Sequence, residues 1–485
     1  MKKIIYSLLF IGLLACLTAC EKFTEITPKG KNLLNKVSDI ETVLNFNFST
    51  NGGVAVGSPA ARSSAEGAFY FQDANVLVGD YTPFVQSVTG IITAPSKTLD
   101  YVNMTYDEAI NRAALTATDI KYSKMYFIIN NVANAVIANV DEATGDRTKG
   151  NQLKAEALVL RAYFHYWLVN LFAKAYNPAT AASDPGIPYV KEDNAIGEAN
   201  KKSTVAEVYT NIMADLDAAL ALNSLPNKNV NAMRVGLGFA YAAKARVLLS
   251  MRRYPEALQA ADQSLAINNQ LDDHRKYAPV GTTVFAHPEV VAPEEYFYAA
   301  DAPSTKFFLT ITPEVIQFYE TGDIINQYVK PYSTALDPLI GLPGSLTWFS
   351  GTYAKNTAGL NTSDSYLVKA ECLARAGAQQ NIAGAMQIIN LMRQNRIHPS
   401  VYAPLTASTE AQAMAALKKF SRIEFLYTGK NYLNIKRWNT EDAYKETIKR
   451  TINGTVYQLR PESPLWIFPF PQNATDYNPN LTQNY

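Results

Sequence analysis

RVGLGFAYAAKARVLLSMRRYPEALQAADQSLAIN, residues 234 to 268, reads as two antiparallel helices joined at Met251 to Tyr254, and the rest of the chain is organised around it. Ala240, Ala242, Ala243 and Ala245 lie among Phe239, Tyr241, Val247 and Leu248, so a second helix can approach closely on that face. Pro255 is expected at the first position of the second helix, where its missing N–H would be unpaired in any case. Behind it Ala257, Leu258, Ala261, Leu265 and Ala266 recur at helical spacing.

Against the tetratricopeptide pattern of large and small residues, Tyr241, Ala245, Leu248, Tyr254 and Ala257 fall in register. Lys244 and Ala261 do not, and Ser264 is only a small-residue substitute. One such hairpin cannot bury its apolar face alone, so further helix pairs must stack on it. A plain helical hairpin in another all-α fold fits the same residues.

At the amino end, Lys2 and Lys3 precede the apolar run Ile4 to Ala15 and then Leu17-Thr18-Ala19-Cys20. Residues 1–19 therefore read as a secretory leader ending in the bacterial lipoprotein cleavage pattern, too short to remain as a spanning helix. The chemistry needs a thiol: diacylglycerol is transferred to Cys20, and the small Thr18 and Ala19 give the peptidase access. Of the 3 cysteines, Cys16 leaves with the leader and Cys20 takes the lipid, so Cys372 has no partner and a disulfide framework is excluded. Its neighbours Ala370, Leu373 and Ala376 give Cys372 a buried, small apolar role.

Removing the leader deletes two of the 44 basic residues and none of the 43 acidic ones, so a formal charge of +1 becomes −1 and a nucleic-acid footprint is not indicated. No later stretch is long and apolar enough to cross a membrane, which leaves lipid as the tether. The aromatics stand out: 29 Tyr, 21 Phe and 4 Trp. Many belong to the core, and some are expected outside it.

The remaining segments follow from periodicity and breakers. A helix is expected near Val37 to Phe46, a structured loop region from Phe69 to Tyr106, and a helix from Tyr122 to Val140 that Gly145 to Gly150 ends. Gln152 to Tyr176 is apolar nearly all round and must be central. Arg161 and Glu156 within it would be costly to bury unpaired, so Arg161 is expected to meet a carboxylate, either Glu156 or Asp215. Ser203-Thr204 with Glu207 reads as a capping box opening a helix to Leu222. From Asn269 to Ser365, Pro279, Pro288, Pro293, Pro303, Pro313, Pro331, Pro338 and Pro343 rule out long helices and leave short strands such as Phe307 to Thr312. Helices return at Ser365 to Ala376, Ile382 to Arg396 and Ala411 to Tyr427, and Pro464 to Tyr485 reads as extended.

Several ordered motifs then carry a resemblance: Ala155-Glu156-Ala157 with Leu160-Arg161-Ala162-Tyr163, Gly186-Ile187-Pro188, Val208-Tyr209 with Asp215-Leu216, Tyr366-Leu367 with Ala370-Glu371, Asn390-Leu391-Met392-Arg393, Ile435-Lys436-Arg437-Trp438, and Asn478-Pro479-Asn480-Leu481 before Gln483-Asn484-Tyr485. In this order, behind a lipoprotein leader, the mature chain resembles the starch-utilisation D family (SusD-like, RagB) of surface lipoproteins in Bacteroidetes-type bacteria. The resemblance implies an all-α fold of about four tetratricopeptide-like helix pairs with a loop-rich variable region carrying little β structure. It implies one body over residues 20–485, with repeats mainly at 105–268 and 363–440 and the variable ligand region at about 51–104 and 269–362. It also implies a place on the outer membrane facing the exterior and a SusC-like TonB-dependent transporter as partner, to which a captured glycan, or in some members a peptide, is delivered in nutrient uptake. The chain departs from the family at Thr428, Asn431 and Asn434, where charged residues are usual, as if one ion-pair network had become neutral hydrogen bonds.

A glycan binder needs flat apolar faces for sugar C–H groups and amides or carboxylates at the rim. The aromatic, helix-poor segments supply both, and the candidate ligand contacts are Trp348, Tyr332, Tyr328, Tyr81 and Phe84, with Asp80 and Asn326 as polar neighbours. Core packing is the competing role for each ring. A glycan-degrading enzyme is the rival reading of another class, but no G-x-S-x-G, P-loop or H-E-x-x-H is present, and no catalytic residue is assigned. His165, His274, His287 and His398 lack ligand spacing, no loop has a calcium pattern, and neither metal nor cofactor is expected. A protein-only tetratricopeptide scaffold is the third reading.

Overall fold

The computed structural model describes residues 34–49, 67–83, 88–117, 119–194, 199–277, 293–300, 309–324, 329–331, 346–348, 356–375 and 380–485, so the leader and Cys20 lie outside the described residues. The 234–268 stretch forms the expected hairpin, with helices Leu237–Ser250 and Tyr254–Ile267. Ala240, Ala242, Ala243 and Ala245 are all buried, which lets the neighbouring helices close in. Pro255 takes the second helical position rather than the first, because Tyr254 is already helical; its absent N–H is still one of the unpaired first four. The turn is tightened at Arg252, whose φ of 61° is held by a guanidinium bond to the Thr440 carbonyl at 2.9 Å.

Stacking follows the repeat logic. Helix Arg147–Phe172 packs on Val205–Ala221, that helix on Leu237–Ser250, and Tyr254–Ile267 on Thr362–Ala374, which in turn packs on Ile382–Gln394 and Glu410–Glu424. The two blocks of repeats, separated by about a hundred residues of proline-rich chain, thus form one stack. The molecule is mostly helical with little strand, as expected.

The central helix starts at Arg147 rather than Gln152. Asp146 caps it, its carboxylate accepting from the Thr148 N–H at 2.9 Å and the Lys149 N–H at 3.3 Å, and this outweighs the low propensity of Gly150 inside the first turn. Its far end is Phe172, short of Tyr176. Within it, Arg161 meets Asp215 in a bidentate pair at 2.6 and 2.8 Å and reaches Asn134 at 3.1 Å and Glu192. Glu156 instead takes Arg234, at 2.7 and 2.9 Å. Neither buried charge is left alone, which is the condition for keeping it there. His165, one turn after Arg161, is buried and held neutral: burial pushes its pKa down to about 3, with one ring nitrogen on the Arg161 carbonyl and the other accepting from the Val190 N–H.

Helix Val205–Ala221 opens with the capping box read from the sequence, the Glu207 N–H donating to Thr204 Oγ1 at 3.2 Å and the Thr204 N–H to the Glu207 carboxylate at 2.8 Å. Thr204→Ala should therefore lower the unfolding free energy by about 1 kcal/mol, and Thr204→Ser by a few tenths at most. Urea midpoints of the two variants check this.

The structure differs from two expectations and adds a hairpin. Residues 67–106 are not mainly loop: Gln72–Leu77, Val88–Thr93 and Leu99–Thr105 are helical, each too short for a period to show, and Thr98 caps the last by accepting from the Tyr101 N–H at 3.2 Å. Ile448–Ile452 and Thr455–Leu459 (β7 and β8 below) form a hairpin closed by Asn453-Gly454, whose φ values of 48° and 79° are those of a turn that favours this dipeptide. The chain end is not simply extended, since Gln472–Tyr477 is a helical turn and a half. Tyr122 to Val140 is helical from Ile120, but widens into a π-helix at Ile129–Asn134 before resuming to Val140; that widening positions Asn134 for Arg161.

Candidate ligand-binding sheet

The helix-poor segments meet in one antiparallel sheet. In chain order the strands are β1 (Tyr81–Pro83), β2 (Glu295–Phe297), β3 (Leu309–Ile311), β4 (Val329–Pro331), β5 (Leu346–Trp348) and β6 (Leu360–Asn361). Four of them form the sheet β1-β3-β5-β4, with Tyr81 opposite Ile311, Ile311 opposite Leu346, and Val329 opposite Trp348. Segments some 250 residues apart in the chain, on the scale that only a non-local sheet joins, are thereby brought side by side. β2 and β6 form a separate ribbon on the repeat hairpin, with a bulge between Glu295 and Phe297. It needs Gly359, where a Cβ would stand 1.9 Å from the Phe297 carbonyl oxygen.

The sheet hangs from the helical frame by its first strand. Asp80, fully buried, stands 2.7 Å from Arg422 of helix Glu410–Glu424 and accepts from the Asn431 amide at 2.8 Å. The Arg422 contact is a close pairing of charges without hydrogen-bond alignment, for Asp80 Oδ1 and Arg422 Nε have no properly directed partner. Burial pushes the Asp80 carboxyl up, and Arg422 and Asn431 offset only part of this. Thr312, at the end of β3, donates its hydroxyl to the Gly79 carbonyl at 2.6 Å. Tyr81 is interior as well: its hydroxyl accepts from Asn75 at 2.9 Å and its ring stacks on Tyr427 at 5.3 Å. Arg450 of β7 ties the two short helices beside β1 together, donating to the carbonyls of Asn103 and Val76.

These positions sort the residues expected at the ligand. Trp348 ends β5 on the strand pair with β4, and β4 is the strand that Tyr328 precedes and Tyr332 follows in sequence. Tyr328, Tyr332, Phe84 and Asn326 lie outside the described residues. Asp80 and Tyr81 are corrected from ligand contacts to interior supports, at 0% and 3% exposure. Both stand where the chain enters β1, with the helical frame behind them. The same holds for Phe69, Phe71, Tyr296, Phe297 and Tyr298, all buried; much of the aromatic surplus is core, as in the stack of Phe71 on Trp167 at 4.5 Å.

Sequence reasoning missed the long-range partners of the polar groups near this sheet. Asn431 and Asn434, read as parts of one neutral network with Thr428, serve two separate charged clusters: Asn431 serves Asp80, and Asn434 accepts from Arg246 at 3.3 Å, beside the Arg246–Asp364–Lys430 pairs at 3.1 and 2.6 Å. Thr428 binds only local backbone. The carboxyl of buried Glu294 is pushed up by burial and then by the Glu424 and Asp272 charges, that of half-buried Glu295 by burial and then by the Glu294 charge, and the two use different protein donors. Among the described residues no group of three or more His, Cys, Asp or Glu could hold a metal ion. Cys372 is buried, and burial pushes its thiol well above the usual range.

A family model described as starch-binding and associating with the outer membrane matches residues 82–249, and the SusD family model matches residues 347–485. Similar solved structures include a SusD superfamily protein from Bacteroides thetaiotaomicron VPI-5482 (TM-score 0.71, 18% identity, covering 93% of this chain and 100% of that one). A sugar-binding protein of Bacteroides vulgatus ATCC 8482, itself so described only provisionally, gives a TM-score of 0.65 at 20% identity over 94% of this chain and 99% of that one. A SusD-like carbohydrate-binding protein of the same organism gives 0.62 at 17% identity over 93% and 98%. At these identities the structures speak for the fold. No curated protein matches the chain.

Proposed function

This chain belongs to the SusD/RagB family, and from that premise we propose that it is a cell-surface lipoprotein that captures a glycan nutrient and delivers it to a SusC-like TonB-dependent transporter. The observation that carries the reading is the β1-β3-β5-β4 sheet, which collects the aromatic, helix-poor segments onto a rigid helical frame. Trp348, Tyr328, Tyr332 and Phe84 are its proposed stacking faces and Asn326 its polar contact, while Asp80 and Tyr81 hold the sheet from behind. Cys20 is the proposed lipid anchor on the outer membrane, with the body facing the exterior. Consistent with such a tether, no helix among the described residues is long and apolar enough to cross a membrane. The family description, starch-binding and outer-membrane associated, and the sugar-binding neighbours support a glycan over a peptide.

Calorimetric titration against panels of polysaccharides and peptides tests this reading. Binding without turnover is expected for a polysaccharide; turnover would replace capture by hydrolysis, and silence across both panels would favour a scaffold that binds only proteins. Trp348→Ala is expected to weaken binding tenfold to a hundredfold, about 1.4–2.8 kcal/mol, with the thermal midpoint unchanged. An unaltered affinity removes Trp348 from the site.

A further inference from the structure

The last residues of the chain are held as tightly as its core. Asn484, buried, donates its amide to the Phe172 carbonyl at 2.7 Å and the Gly186 carbonyl at 2.8 Å. Gln483 exchanges bonds with the Phe470 backbone at 2.8 and 2.9 Å, and Lys202 reaches the Thr482 carbonyl at 2.7 Å and the Asn484 amide oxygen at 2.8 Å. Chain ends ordinarily fray unless something ties them down. Here the final ring, Tyr485, is fixed over the buried Arg112 guanidinium at 4.1 Å and is nevertheless 42% exposed. It stands on the wall of a cavity of about 680 Å³ that the 174–185 turn, the end of helix Lys430–Trp438 and the 461–467 segment enclose with it.

We propose that this cavity is a second saccharide site, for a neutral sugar, separate from the sheet and sharing no residue with it. Its volume lies within the range of small-ligand pockets. Its charged groups have partners in the protein: Lys174 and Asp184 pair at 2.8 Å, the exposed Glu462 stands 3.6 Å from Arg460, and the three donors of buried Lys436 are taken by the carbonyls of Asn170 and Ala173, at 2.6 and 2.7 Å, and by the Tyr432 hydroxyl at 3.1 Å. What remains is the Tyr485 ring with the flat faces of Pro185 and Pro464, the amide N–H groups of Asn177, and the Thr180 hydroxyl oxygen as an acceptor, its proton being given to Asp184 at 2.6 Å. Flat apolar surface beside neutral donors and acceptors is what a sugar's C–H face and hydroxyl edge require.

Calorimetric titration of the full mature chain with neutral malto-, cello-, xylo- and laminari-hexasaccharides tests this, using Tyr485→Ala, Thr180→Trp to fill the cavity from an exposed turn, and Trp348→Ala. The expected result is two binding events. Tyr485→Ala and Thr180→Trp, each measured where the variant is folded, weaken the same event at least tenfold, and Trp348→Ala weakens only the other. Should Tyr485→Ala unfold, Thr180→Trp decides. The proposal is overturned if both folded variants bind every saccharide as the wild type does, or if no saccharide binds the wild type. Sensitivity to Tyr485 without sensitivity to Trp348 leaves the pocket standing and removes the sheet reading.

Discussion

Glu371→Gln should lower the unfolding free energy at pH 7 by about 3–5 kcal/mol, because it removes the one anion shared by two buried guanidiniums. Glu371, 2% exposed, accepts from Arg437 at 2.8 and 2.7 Å, from Arg375 at 2.6 Å and from the Trp438 indole at 3.1 Å. Arg375 keeps Glu441 at 2.9 Å, but no other carboxylate is paired with Arg437 among the described residues. Glutamine fills the same space and leaves that charge uncompensated. The acid response supplies an independent check. Burial alone would raise the Glu371 pKa, yet Arg437 and Arg375 outweigh it and hold the carboxyl at about 2, below its ordinary 4.5. A depressed carboxyl contributes stability that is present above the unfolded value and lost as pH falls through the folded one. Wild-type stability should therefore drop between about pH 5 and pH 2 by about 3 kcal/mol more than that of Glu371→Gln. Urea unfolding of both proteins across that window measures the difference; parallel curves would show that Glu371 is not held ionised by its partners.

What could be read from the chain was what repeats locally. The 234–268 hairpin, the capping box at Thr204 and the apolar helix around Arg161 each carry their evidence within a few turns, and Arg161 could be assigned a buried carboxylate because burial of a lone charge is forbidden by its cost. Distance in sequence defeats the same reasoning. Asn431 and Asp80 are 351 residues apart, and no local pattern marks Asp80 as the end of a buried tether rather than a rim residue. The Asn453-Gly454 dipeptide between alternating residues is a local signal of the same kind, and it marks the hairpin ribbon near the chain's end. For the aromatics, composition alone cannot separate a ring that packs, such as Phe297 against Phe48 at 5.1 Å, from a ring that waits for ligand.

Arg422→Met carries the second large effect, and it connects the frame to the sheet. Removing the guanidinium leaves the fully buried Asp80 with the Asn431 amide at 2.8 Å as its remaining side-chain hydrogen bond among the described residues, and a loss of about 3–5 kcal/mol at pH 7 is expected. Its pH dependence should run opposite to that of Glu371. Burial already pushes the Asp80 carboxyl above its ordinary 3.8, and without Arg422 it rises further. A raised carboxyl favours the fold below the unfolded pKa and disfavours it as pH climbs through the folded one, so the deficit of Arg422→Met should shrink toward pH 4 and grow toward pH 7. Adding Asp80→Asn removes the orphaned charge; the double variant should recover part of the stability at pH 7 and lose the pH dependence. Ligand affinity, measured well below the melting temperature, should fall in Arg422→Met, because β1 and, through β3, the β5 and β4 pair are oriented by the Asp80 anchor. If the double variant is no more stable than Arg422→Met at pH 7, the Asp80–Arg422 pair is not what fixes the sheet to the repeats.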